Sequence, residues 1–203
     1  METLLQALSA ALRPAETPAA VEEGLKFRAS VAVVLRPRGS ELEVLVIQRA
    51  VRRGDRWSGH AALPGGKAEA SDRDPVATAV RETFEEVGLD LSGARVLGAL
   101  PEHPRAFWRR WERMAVTPVV FVFEGEAALT LNAREVQSVT WVPLAALRSP
   151  RHTGRFWWWW RPSRRVPLRV PFLLPRWRYE SLLIWGMTHA ILSDLLRALG
   201  RAP

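Results

Sequence analysis

Short runs rich in β-branched residues constrain the fold of this chain more than any other feature. Residues 29–36 (ASVAVVLR) and 115–123 (AVTPVVFVF) read as buried strands, and 42–49 (LEVLVIQR), 94–99 and 136–142 (VQSVTWV) as further strands. Helical patterns lie between and around them. Leu4, Leu5, Leu8 and Leu12 recur at helical spacing over residues 2–12, before Pro14 and Pro18. Asp74 as a cap, Pro75 in a first turn and Gly88 as a stop predict a helix from Pro75 to Val87. A short helix is expected from Pro143 to Leu147. A last one is expected over 187–199, with Ile191, Leu192, Leu195, Leu196 and Leu199 facing inward. Strands and helices are mixed rather than strictly alternating. That predicts an α/β domain layered on a mixed sheet, not a doubly wound parallel one. At 203 residues the chain suits a single domain, with a core over 27–147 plus the C-terminal helix and an insertion or hairpin over 148–180.

Composition removes several kinds of chemistry. Cysteine is absent, so disulfides, thiolate metal sites and a cysteine nucleophile are excluded. Glu2 stands where a secretion signal would carry positive charge, and no run reaches the roughly 18 apolar residues of a membrane span. A cytoplasmic protein is the expectation. The formal charge of +8 is almost all arginine, since Lys26 and Lys67 are the only lysines. Such a surface suits an anionic partner, although a basic, arginine-rich proteome gives the same composition.

The residues that carry chemistry sit on the helix at 75–87. On a helical wheel Val76, Val80, Phe84 and Val87 share one side, and Glu82, Glu85 and Glu86 cluster opposite. The first set is expected to face the core and the carboxylates to be exposed. Carboxylates at i, i+3 and i+4 are spatial neighbours that repel one another. A hard divalent cation relieves that repulsion, and oxygen donors are what Mg²⁺ and Mn²⁺ prefer. A solvated acidic helix face is the competing reading. Just upstream, Leu63-Pro64-Gly65-Gly66 offers bare backbone amides that can approach a phosphate closely. Arg81 stands beside the carboxylates and can orient one of them.

Gly66, Asp72, Arg81-Glu82, Glu85-Glu86 and Gly88-Leu89 together resemble the signature of the Nudix hydrolases. Six of these residues match fixed identities of that signature, a coincidence with chance odds on the order of 10⁻⁷. Asp72 stands where the family usually has glutamate, one residue further from the arginine than usual. The resemblance implies an α/β/α sandwich with a loop–helix–loop motif, and metal-dependent hydrolysis of a nucleoside diphosphate linked to another group. It implies Glu82, Glu85 and Glu86 as ligands for Mg²⁺ or Mn²⁺, Arg81 as their orienting partner, and Gly65 and Gly66 as backbone that helps place metal and phosphates. The water's proton needs a carboxylate acceptor, either a glutamate of the box or a later loop glutamate such as Glu135. A plain strand-end charge is the alternative for Glu135.

Residues 45–66 (LVIQRAVRRGDRWSGHAALPGG) also resemble the upstream motif of the coenzyme A pyrophosphatase branch, through Arg49-Ala50, Gly59 and Pro64-Gly65-Gly66. Arg49, Arg52 and Arg53, with Arg56 nearby, are then candidates for the substrate's phosphates, or else form an exposed basic loop. Other dinucleotide-type substrates remain open. Trp57, Trp108 and Trp111 are candidates for stacking on a base, for core packing or for a surface lid. His60, next to the glycine loop, reads as a polar residue on a strand, with contact to the substrate as the alternative.

Residues 148–178 fall outside these patterns. Trp157 to Trp160 are consecutive, so no single strand or helix face can bury all four, and Arg151, Arg155, Arg161, Arg164 and Arg165 flank them. A hairpin packed on its own domain, a homodimer contact, a lid over the substrate, and a contact with nucleic acid or membrane are all compatible readings. The functional alternatives to an enzyme are a Nudix-shaped nucleotide-binding module without catalysis, and a peripheral binder working through this arginine–tryptophan segment.

Overall fold

The computed structural model describes residues 1–16, 27–52, 54, 57–104, 114–126, 128–160 and 169–201. Helix α1 (Glu2–Ala10) precedes β1 (Phe27–Arg38) and β2 (Glu41–Arg49), which form a hairpin. Two short strands follow, β3 (Ala61–Ala62) and β4 (Gly65–Lys67), then α2 (Pro75–Val87). Next come β5 (Arg95–Ala99), β6 (His103–Pro104), β7 (Met114–Val122), β8 (Val136–Pro143) and α3 (Leu144–Arg148). The chain ends with β9 (Thr153–Trp160), β10 (Val170–Tyr179), β11 (Leu182–Trp185) and α4 (Gly186–Arg201).

The main sheet is mixed because β1 pairs parallel with β7 and antiparallel with β2. Alternation along the strands feeds two cores. Val33, Leu35, Val44, Val46, Val120 and Val122 point to one face, where Leu5 and Leu8 of α1 and Ile191, Leu192 and Leu195 of α4 cover them. Ala32, Val34, Leu45, Ile47, Val119 and Phe121 point to the other, under Ala79 and Val87 of α2. Helices therefore close both faces, as the α/β/α expectation requires. A second, three-stranded sheet has the order β11–β10–β9.

Strand β1 is long enough to change partners, and this places the site. Its outer half pairs with β2 up to Leu35↔Val44. Its inner half pairs with β4 through Val31↔Gly65 and Ser30↔Gly66. The Pro64-Gly65-Gly66 turn is thereby pinned at the point where β2 leaves β1, directly under α2, which packs on both β1 and β4.

The orientation of α2 differs from the wheel-based expectation. Phe84 is 59% exposed, while Glu86, expected outside, is only 4% exposed. The helix is rotated so that Ala79 and Thr83, both fully buried, meet the sheet. Small side chains let the helix approach closely, and Thr83 satisfies its hydroxyl by donating to the Ala79 carbonyl at 2.7 Å. Val76 and Val80 remain at the edge of the core. Hydrophobicity alone mislocated the buried stripe because its centre is built from an alanine, a threonine and a glutamate.

Candidate active site

Local chemistry sets the ends of α2. The Asp74 carboxylate accepts the Ala77 N–H at 2.7 Å, Pro75 opens the first turn, and Gly88 closes the helix in the left-handed region at φ 70°. On this frame Arg81 is held from several sides. Its Nε and Nη2 donate to the two oxygens of Asp72 at 3.1 and 3.0 Å, and Nη2 also donates to the Lys67 carbonyl at 3.0 Å. Its Nη1 lies 3.1 Å from both Glu82 and Glu85. Asp72 also accepts the Glu69 N–H at 2.9 Å, and the guanidinium holds its carboxyl down at about 2. The acid on the loop thus fastens the arginine, and the arginine fastens two glutamates.

The glycine turn grips Glu86 and abuts Glu82. The Gly65 N–H donates to Glu86 at 3.0 Å. Gly65 has φ 148°, and a β-carbon there would lie 2.3 Å from the Ser30 carbonyl oxygen. A β-carbon on Gly66 would lie 2.5 Å from the Glu82 carboxyl. Both positions need bare backbone, one against β1 and one against a glutamate of α2.

Burial pushes the Glu86 carboxyl up to about 8, against the favourable Gly65 N–H, and the negative charges of Glu82 and Glu135 push in the same direction. Glu82 is also raised, chiefly by burial. The loop over 130–135 is docked on the end of α2 by the Thr130 N–H to the Val87 carbonyl and the Asn132 N–H to the Glu86 carbonyl, at 2.9 and 3.0 Å. This brings Glu135 within electrostatic reach of the box, although it follows the box by about fifty residues. Its own carboxylate is about half exposed, 4.0 Å from Arg52.

The predicted residues therefore divide. Glu82, Glu86, Gly65, Gly66 and Glu135 come together, with Arg49 near enough to Glu86 to favour its charged form. Glu85 turns outward to Arg81 and is exposed, so the three box glutamates are not equivalent. Arg52 is exposed and 4.0 Å from Glu135, and Arg53, Arg56, Trp108 and Trp111 lie outside the described residues. Among the described residues no three acidic or histidine side chains form a ready-made ligand group, because Arg81 stands between Glu82 and Glu85. The donor chemistry still suits Mg²⁺ or Mn²⁺: all donors are oxygens, and burial beside two other carboxylates holds Glu86 up despite the nearby Arg49 charge, a penalty that a bound cation would relieve.

A cavity of about 660 Å³ opens beside the glycine turn. Gly65, Gly66, Lys67 and Arg49 lie along it, and Trp57, His60, Trp158 and Trp185 form an aromatic wall. His60 precedes β3 rather than lying in a strand, and its ring meets Trp185 edge-on at 5.0 Å and Trp57 at 5.7 Å. His103 also lines the cavity, with Nε2 2.7 Å from Asp194, which pairs in turn with Arg197. Sequence reasoning missed this pair and Trp185. The partners of Trp185 come from distant parts of the chain, and His103 and Asp194 are 91 positions apart, so no local pattern signals either group.

Comparison with known proteins agrees with this architecture. The NUDIX domain model matches residues 26–158. An uncharacterised Schizosaccharomyces pombe protein is 44% identical over 110 residues, covering 53% of this chain and 33% of its own length. An Escherichia coli protein described as the uncharacterised Nudix hydrolase NudL is 29% identical over 189 residues, covering 89% of this chain and 88% of its own. In three dimensions, a MutT/nudix family protein from Enterococcus faecalis aligns over 91% of this chain and 66% of its own, at TM-score 0.50 and 19% identity. The loop–helix–loop, the sandwich that holds it and the domain match together establish that this chain belongs to the Nudix hydrolase family.

Proposed function

We propose that this hydrolase cuts the diphosphate bridge of a nucleoside diphosphate derivative of the coenzyme A type, with Mg²⁺ or Mn²⁺ held by Glu82 and Glu86. The observation that carries the reading is Glu86: a buried carboxyl crowded by Glu82 and Glu135 and gripped by the N–H of Gly65, itself a residue of the cleft lining. A bound divalent cation would neutralise phosphate oxygens and acidify the attacking water. The chain's own residues do the rest. Arg81 fixes Glu82 and Glu85 in place and is itself fixed by Asp72. Glu85 is a weaker candidate ligand than the sequence suggests, because its carboxylate is turned toward Arg81. Glu135, half exposed beside the box, is positioned to accept the water's proton. Arg49 and Arg52 place positive charge where the substrate's phosphates would lie.

The cleft supports the choice of substrate class. A site for a triphosphate alone needs little beyond cations. This one continues from the glycine turn into a wall of tryptophan, alanine and leucine, which suits an uncharged organic arm beyond the diphosphate.

The test is incubation of the purified protein with Mg²⁺ or Mn²⁺ and a panel of coenzyme A, ADP-ribose, NADH, dinucleoside polyphosphates and nucleoside triphosphates, with product masses read out. Coenzyme A split at its diphosphate only when metal is present is the expected result. Turnover of triphosphates with coenzyme A untouched would refute the substrate class, and metal-independent turnover would refute the site.

A further inference from the structure

The positive charge of this chain is concentrated in one place. Residues 148–179 contain nine arginines and no aspartate or glutamate, while the other 20 basic residues are outnumbered by 21 acidic ones. The whole positive excess therefore resides in the segment that forms β9 and β10.

The fold gives that segment an unusual surface. One face of the second sheet begins in the core, where Trp177 and Ile184 are paired and buried. Further along the strands the same face carries the cross-strand pairs Trp157↔Leu173 and Trp159↔Pro171. Here Trp157 is 61% exposed, Trp159 56% and Leu173 43%. Arg155 shares this face, and Arg151 and Arg169 are exposed beside the ends of its strands. The opposite face holds Trp158 and Trp185 against the cleft, whereas Trp157, Trp159 and Leu173 do not line it. Strand periodicity thus divides the consecutive tryptophans between two jobs.

Three kinds of partner would use this face differently. A second copy docked face to face would set arginine-only segments against each other with no carboxylate between them, which opposes association. A single-stranded nucleic acid would stack on indole planes and leave Leu173 and Pro171 without use. An anionic lipid surface uses every part. Indoles sit at headgroup level, leucine and proline meet the acyl boundary, and arginines lie among phosphates.

We propose that the outer face of β9–β10 is a peripheral docking site for anionic lipid bilayers. Trp157, Trp159 and Leu173 insert into the interface, and Arg155 and Arg169 bind lipid phosphates.

Sedimentation of the full chain with vesicles tests this directly. The protein should bind vesicles of phosphatidylcholine mixed with phosphatidylglycerol, leave pure phosphatidylcholine unbound, and release as salt is raised. The double variant Trp157→Ser/Trp159→Ser and the double variant Arg155→Glu/Arg169→Glu should each bind roughly tenfold or more weakly. Both should keep the wild-type melting temperature and the hydrolysis of a soluble diphosphate substrate. If the tryptophan variant fails to fold, the arginine variant decides the matter alone. Equal binding to both vesicle types, or to neither, overturns the proposal. So does a dimer that the tryptophan variant splits, or tight binding to a single-stranded oligonucleotide without vesicle binding.

Discussion

The glycine turn with α2 and the sheet of β9 to β11 treat their conspicuous residues in opposite ways. In the first region nearly every charged group is tied: Arg81 to Asp72, Glu82 and Glu85, and Glu86 to Gly65. In the second, two tryptophans and a leucine stand in water beside arginines with no acid in their segment. A desolvated charge needs a partner at fixed distance, so the first region has few permissible geometries. Exposed apolar surface carries no such directional demand, so the second region is arranged by strand periodicity and leaves the surface that the proposed bilayer contact would use. Precise geometry marks the chemistry, and unsatisfied surface marks the contact.

The sharpest way to break this contrast is Glu86→Gln. Turnover of a verified diphosphate substrate should fall by about two to four orders of magnitude with the fold intact. Full activity would mean that the tied carboxyl is merely structural. Next in size is Gly65→Ala, where a β-carbon meets the Ser30 carbonyl at 2.3 Å. Denaturant melts should show a loss of about 3 kcal/mol. In Gly66→Ala the nearest atoms to the β-carbon are those of the Glu82 carboxyl, a side chain rather than backbone. This variant should retain most stability yet lose activity about a hundredfold as Glu82 is displaced. If both glycine variants behaved alike, the division of labour between the two positions would be wrong.

A pH series sharpens the comparison further. The folded Glu86 carboxyl sits at about 8, against an ordinary 4.5. The folded protein thus keeps a proton that the unfolded chain has already lost at neutral pH. That contribution to stability is complete below 4.5 and disappears as pH rises through 8. Without metal, the melting temperature should therefore fall across this window, and Glu86→Gln should flatten the fall. Added Mn²⁺ should raise the melting temperature more at pH 8 than at pH 6, because the carboxyl must release its proton to bind. The smallest expected effect is that of Phe84→Ala. With the ring 59% exposed, its cost should be within about 0.5 kcal/mol by thermal melting.

Much of this arrangement was legible in the sequence. The strands β1, β2, β5, β7 and β8 follow their β-branched runs, and Asp74, Pro75 and Gly88 bound α2 where local rules place its ends. The box identities disclosed the family before any geometry was known. What escaped has physical causes. Strands β3, β4 and β6 are two or three residues long and exist only through pairing with β2, β1 and β7. The rotation of α2 escapes a hydrophobicity wheel because the buried Glu86 is held by the Gly65 N–H and the nearby Arg49 charge, which a wheel cannot see. His103 with Asp194, and the aromatic wall around Trp185, depend on contacts between remote segments. Among the tryptophans, alternation itself was predictable, but which alternate set would find a core to lie against was not.

The central claim is that the carboxyl gripped by the glycine turn exists to bind a divalent cation. Calorimetric titration of Mn²⁺ at pH 8 into the wild-type protein and into Glu86→Gln, each with a diphosphate product present, tests it most directly. Saturable binding to the wild type with release of a proton, lost in the variant while its melting temperature is maintained, is the predicted result. Equal Mn²⁺ affinity in both proteins would contradict the account.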